Sequence, residues 1–92
     1  MKIIVIVRTY NEQRNLPRFI NAYKDWVDYI LVSDDWSEDQ EYLSNLPENV
    51  LVSFYSGERI EREKITRAKQ DIQLNNLIQW AEHLKADWII IK

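Results

Sequence analysis

Ile3-Ile4-Val5-Ile6-Val7, five apolar residues in unbroken succession, passes directly into the polar run Arg8-Thr9-Tyr10-Asn11-Glu12. An amphipathic helix or a half-exposed strand would interrupt such a run with polar residues. A short, β-branched stretch without interruption is the pattern of a strand buried on both faces, as in a parallel sheet. Three further runs share it, at 29–32, 50–54 and 88–91, all apolar or nearly so and mostly β-branched or aromatic. Between the first two, Leu16, Phe19, Ile20, Tyr23 and then Trp26 or Val27 recur at helical spacing. Asn15 stands where an N-cap is expected, and Pro17 falls in the first turn. Residues 37–46 begin Ser-Glu-Asp and run into Pro47, which leaves room for a short helix only. From Thr66 onward Ala68, Ile72, Leu74, Leu77, Ile78, Ala81 and Leu84 predict a long helix that neither Gly nor Pro interrupts. The charged run 58–64 is a solvated loop or the first turns of that helix.

Strands alternating with helices give the order βαβαβαβ. Right-handed crossovers then make an α/β protein with a three-layer, Rossmann-like parallel sheet, its strands expected in the order 3-2-1-4. At 92 residues the chain is one domain with a modest core. Composition narrows the chemistry. Apolar residues make up 46% and charged residues 29%, the balance of a folded domain. Without cysteine there is no disulfide framework, thiolate metal site or cysteine nucleophile, and His83 alone cannot form the usual zinc site. One glycine, Gly57, is too few for a dinucleotide fingerprint or a phosphate-cradling Walker loop. Twelve basic against fifteen acidic residues, a net charge of -3, argues against nucleic-acid binding through phosphate neutralisation. The five-residue apolar run near the amino terminus is too short for a signal peptide or a membrane span, so no membrane segment and a cytoplasmic location are expected.

In a doubly wound sheet, ligands bind beyond the carboxyl ends of the strands, where strand order reverses. Polar residues gather there: 8–12 after the first strand, Ser33-Asp34-Asp35-Trp36-Ser37 after the second, and 56–59 after the third. Asp34 and Asp35 are adjacent, so on extended backbone their side chains diverge and they are not an acid/base pair. A carboxylate there suits a ribose hydroxyl or a base N–H. It equally suits capping of the element that follows, and spacing alone leaves the two readings level. Tyr10 could stack on a base with polar contacts from Thr9 and Asn11, but these residues by themselves favour an ordinary strand-to-helix turn.

The stretch 3–12, followed by Val32-Ser33-Asp34-Asp35-Trp36-Ser37, resembles the opening of a family 2-type glycosyltransferase of the GT-A fold. Asn75-Asn76-Leu77-Ile78-Gln79-Trp80-Ala81, with 86–91 after it, is similar to the helix and fourth strand that precede that family's metal-binding Asp-x-Asp. The resemblance covers essentially the whole chain and implies a single truncated GT-A-like nucleotide-binding domain at 1–92. It departs from the family at Arg8, where a proline is frequent, at Trp36, where a small residue is common, and at Leu77, where many relatives carry glycine. Carried over, Thr9 and Tyr10 hold the base and Asp35 accepts from base or ribose. Glu12 and Asp34 support them, and Arg67 reaches the diphosphate. The implied ligand is a nucleotide sugar, UDP-linked, bound weakly, and the implied parent reaction is glycosyl transfer with inversion, assisted by Mg or Mn. The Asp-x-Asp and the general base have no counterpart in these residues, so this chain is expected to hold no cofactor and no catalytic residue and to be inactive alone. Two alternatives stand beside this reading: a module that binds a nucleotide or a protein without chemistry, and a magnesium-dependent phosphoryl-transfer enzyme using Glu12, Asp34 and Asp35. The uncharged run 88–91 also predicts an unprotected sheet edge and self-association through it.

Overall fold

The unbroken apolar runs require a sheet covered on both sides, and the fold supplies one. A computed structural model describes residues 1–35, 37–38, 41–54 and 67–92, with residues 67–71 described through their backbone. Within it, β1 (Ile3–Thr9), β2 (Tyr29–Asp34), β3 (Val50–Phe54) and β4 (Trp88–Ile91) form one sheet in the order β3-β2-β1-β4. Every pairing is parallel: Val5 lies opposite Ile30 and Ile90, and Leu31 opposite Leu51. The first strand is thus central, as its apolar run predicts. β1 and β2 both continue past the expected ends, by two residues each, because Arg8 pairs with Ser33 and Thr9 with Asp34. Polar side chains do not end a strand whose backbone still has a partner.

The path from β1 to β2 and the path from β3 back to β4 cross the sheet in opposite directions. Right-handed crossovers therefore place α1 (Asn15–Tyr23) and α2 (Arg67–His83) on opposite faces. Val5, Ile30 and Val32 face Leu16 and Ile20 of α1, while Ile4, Ile6 and Leu31 face Leu77 and Ala81 of α2. All six of these strand residues are fully buried. Each aliphatic side chain removed from water in this way contributes about 1.5–3 kcal/mol. Among the described residues between β2 and β3, a 3-10 turn, Glu41–Leu43, stands where a short helix is expected. The expectations for Trp36 and for the charged run 58–64 lie outside the described residues.

Three helical details depart from the sequence reading. Asn15 is the first residue of α1 and not its cap: the Glu12 carbonyl already accepts the Leu16 N–H at 2.9 Å, so winding starts upstream, and Arg14 makes no side-chain cap. The helix stops at Tyr23, leaving Val27 buried in the turn beyond it and Trp26 outside with its indole Nε1 donating to the Ala22 carbonyl at 2.9 Å. In α2 the buried stripe runs through Gln73, Leu77 and Ala81, four residues apart, and Ile72 lies half-exposed off that stripe. A polar side chain takes the position that apolar spacing assigns to isoleucine because it has a partner on the sheet, as described below.

α2 ends in a Schellman motif. The Lys85 N–H donates to the Glu82 carbonyl at 2.9 Å and the Ala86 N–H to the Ala81 carbonyl at 3.1 Å, with Lys85 at φ 65°. Lys2 closes the same end, its Nζ donating to the Leu84 carbonyl at 2.8 Å. A left-handed lysine carries a Cβ penalty that glycine avoids, offset in part by glycine's freedom in the unfolded chain. Lys85→Gly is therefore expected to stabilise the fold by about 0.5–1 kcal/mol, read as a higher urea midpoint at unchanged slope.

Candidate functional site

The carboxyl ends of β1 and β2 meet at Thr9 and Asp34, a paired register position whose side chains share the α1 face. Asp34 is fully buried, and Thr9 is 4% exposed. The Thr9 Oγ1 donates to Asp34 Oδ1 at 2.7 Å, and the Ser37 backbone N–H donates to Asp34 Oδ2 at 2.8 Å. The Ser37 Oγ lies 2.7 Å and the Tyr42 hydroxyl 2.9 Å from Asp34 Oδ1, and these two hydroxyls are 2.7 Å from one another. Ser37 and Tyr42 bring one proton each to those three contacts, so one of the three is always made without a proton of its own. The carboxylate still receives Thr9, the Ser37 amide and at least one further hydroxyl, enough to satisfy it without water. Tyr42 responds to this setting. Its phenol is raised from the ordinary 10.0, chiefly by burial and also by the Asp34 carboxylate, while contacts with Ser37 and the Glu12 backbone act the other way.

A second set of bonds clasps the two loops. Asn11 sits in the left-handed region at φ 51°, a conformation that asparagine tolerates better than most residues. There its backbone N–H donates to Ser37 Oγ at 2.8 Å, and its side-chain Oδ1 accepts the Glu38 N–H at 3.0 Å. The Asp35 N–H donates to the Thr9 carbonyl at 2.9 Å, and the Tyr10 hydroxyl reaches Glu38 Oε1 at 3.4 Å. On the opposite face Gln73 Nε2 donates to the Ser33 carbonyl and Oγ at 2.9 and 3.0 Å, anchoring the end of β2 to α2.

The sequence-derived residues therefore divide. Thr9 and Asp34 face one another within the protein, whereas Tyr10, Glu12 and Asp35 are half-buried at its margin. Asp34 binds the Ser37 amide as a cap would, ahead of the 3-10 turn at Glu41–Leu43. Arg67 is the first residue of α2, and its side chain lies outside the described residues, as does Trp36. Asn75 is exposed on α2. Ser37, Tyr42, Asn11 and Gln73 complete the arrangement. Ser37 was legible as part of the stretch after β2, but nothing in local spacing marks Tyr42 or Gln73, which become neighbours of the site only through the tertiary fold.

Beside this network, a cavity of about 170 Å³ opens at the carboxyl end of β1. Its floor is Val7, Leu16 and Phe19 and its rim Arg8, Thr9, Glu12 and Asn15, with Asn15 Nδ2 donating to Glu12 Oε2 at 3.1 Å. That volume admits a single ring and not a whole nucleotide, since sites for drug-sized ligands begin near 300 Å³. Among the described residues no three acidic or histidine side chains gather to hold a metal ion. Among those residues, too, no helix is long and apolar enough to cross a membrane. No protein-family model matches this chain, and no curated protein or solved structure matches it.

Removing the carboxylate strands several buried donors at once. Asp34→Ala is expected to cost about 2–4 kcal/mol in urea unfolding. The raised phenol sets a second expectation. A group whose pKa is higher in the folded protein contributes stability that is complete below its unfolded value and disappears as pH climbs through the folded one. Stability should therefore fall on the alkaline side of 10.0, and Tyr42→Phe should remove part of that slope, measured as the urea midpoint against pH.

Proposed function

We propose that this domain binds a nucleoside diphosphate sugar, UDP-linked, as the nucleotide-binding portion of a glycosyltransferase-like protein. The observation that carries this reading is the clasp of the β1 and β2 loops by the Asp34 network and Asn11. It fixes Tyr10, Glu12 and Asp35 at the carboxyl edge of the sheet beside a ring-sized cavity. Rigid placement lowers the ordering cost of binding. In the bound arrangement Tyr10 stacks on the base, and Asp35 accepts from the base or a ribose hydroxyl, a charge-assisted bond at the margin of the fold. Thr9 and Asp34 act through position, holding the two loops together. Arg67, at the amino end of α2, is the residue that the family resemblance assigns to the diphosphate.

No transfer step is assigned to this chain's described residues. Binding rests chiefly on the nucleoside end. One stacked ring and one charged hydrogen bond contribute a few kcal/mol, which corresponds to affinity on the order of millimolar.

Titrating uridine and UDP into isotopically labelled protein tests this. Both ligands are expected to shift the amides of Tyr10, Glu12 and Asp35 alike, inorganic diphosphate is expected to leave them unmoved, and Asp35→Ala is expected to weaken binding about tenfold. An absence of shifts at several millimolar nucleotide, or shifts centred elsewhere on the sheet, would overturn the reading.

A further inference from the structure

β4 pairs with β1 along one side, and no described strand lies along the other. The Trp88 and Lys92 N–H groups donate inward, to the Lys2 and Ile6 carbonyls at 3.1 and 3.0 Å. Along a parallel strand, inward and outward groups alternate, so the N–H and C=O of Ile89 and Ile91 point out of the sheet. The strand carries none of the usual protections of an edge: no charge, proline or bulge interrupts 88–91. Trp88 is 61% and Ile91 54% exposed. On the α1 side the surface continues as a row of rings, Phe19, Tyr23 and Trp26, with centroids 4.9 and 5.2 Å apart, and Lys92 Nζ stands 5.6 Å from the Tyr23 ring.

We infer that this edge docks a second copy of the chain, β4 against β4 and antiparallel, about a two-fold axis normal to the sheet at Ile90. Such an axis reverses strand direction and keeps each face on its own side, so opposed residues must share a face. Centring on Ile90 sets Ile89 of one copy against Ile91 of the other. Those are the two outward-pointing residues, which exchange both backbone bonds as an antiparallel pair does. The same register sets Trp88 against Lys92, ammonium against indole. Its neighbours fit less well. Centring on Ile89 opposes Ile91 to Asp87, whose N–H already donates to the Lys2 carbonyl at 2.8 Å and whose carboxylate accepts the Lys2 N–H at 2.6 Å. Centring on Ile91 leaves Ile89 without a partner inside the strand. The Ile90 register alone uses every outward group of the strand and opposes no charge to an aliphatic side chain. This inference is independent of the nucleotide reading.

Light scattering of the 92-residue chain from micromolar to millimolar concentration, with amide hydrogen exchange on the same samples, decides it. The expected result is a monomer that becomes a dimer. The Ile89 and Ile91 amides should slow about tenfold or more across that range, while those of Ile90 and Lys92 are protected throughout. Ile91→Pro removes an outward donor and leaves the inward ladder whole, so it should yield a monomer. Trp88→Lys places like charges opposite one another, keeps the backbone unchanged and should weaken the dimer about tenfold, which decides the matter should the proline variant fail to fold. A monomer at millimolar concentration overturns the inference, whether its Ile89 and Ile91 amides exchange freely or are protected by another segment of the same chain. A dimer in which those amides stay unprotected, or one that Trp88→Lys leaves intact, overturns it as well.

Discussion

The Asp34 carboxylate, without any exposed surface, is the constraint on which the carboxyl end of this sheet depends. A buried carboxylate is tolerated only when donors replace the water it has lost, and here they come from β1 through Thr9, from the segment after β2 through Ser37, and from the 3-10 turn through Tyr42. Satisfying one group therefore orders three stretches of chain. The need is acute because the single glycine, Gly57, lies outside these loops. Among the described residues, the left-handed backbone positions fall to Asn11, Asn45 and Lys85. Asn11 holds its conformation through its bonds to Ser37 and Glu38, so side-chain chemistry does what glycine's freedom does in glycine-rich loops.

The two faces of the sheet meet this end differently. On the α1 face, polar atoms of Thr9, Asp34, Ser37 and Tyr42 close the apolar core formed by Val5, Val32 and Leu16. On the α2 face a single amide, Gln73, reaches Ser33 and ends the core formed by Ile6, Leu31 and Leu77. Both arrangements bury polar side chains only where every buried side-chain nitrogen and oxygen among the described residues finds a partner. The result is a firm platform with half-buried polar groups at its rim, the geometry that the proposed nucleoside site uses.

The two α-helices among the described residues do not cover the four strands evenly. Core density is greatest over β1 and β2, whose inner residues are sealed on both faces, and it thins toward β4, where Trp88 and Ile91 stand in solvent. A domain of this size buries a smaller share of its surface than a larger one, so some apolar area must remain outside. Part of it, at Trp88 and Ile91, lies on β4 beside the outward row of backbone groups that the proposed dimer uses.

The sequence by itself determined the sheet. Runs such as Ile3-Ile4-Val5-Ile6-Val7 are apolar at both parities, and only a strand buried on two faces satisfies them; alternation with helical periodicity and the handedness of crossovers then leaves the order 3-2-1-4. It also placed Thr9, Tyr10, Glu12, Asp34 and Asp35 at one end, since strand termini are legible where apolar runs stop. What it left open was which of Asp34 and Asp35, whose side chains diverge, is buried and which remains at the rim. Only the tertiary structure decided that, because the choice depends on where Ser37 and Tyr42 arrive and not on either aspartate's neighbours in sequence. The exchange of Ile72 for Gln73 in the buried stripe of α2 has the same origin. Periodicity measures how apolar a position is, whereas burial of a polar group depends on whether a distant partner stands within hydrogen-bond reach, and that distance exists only in the folded chain.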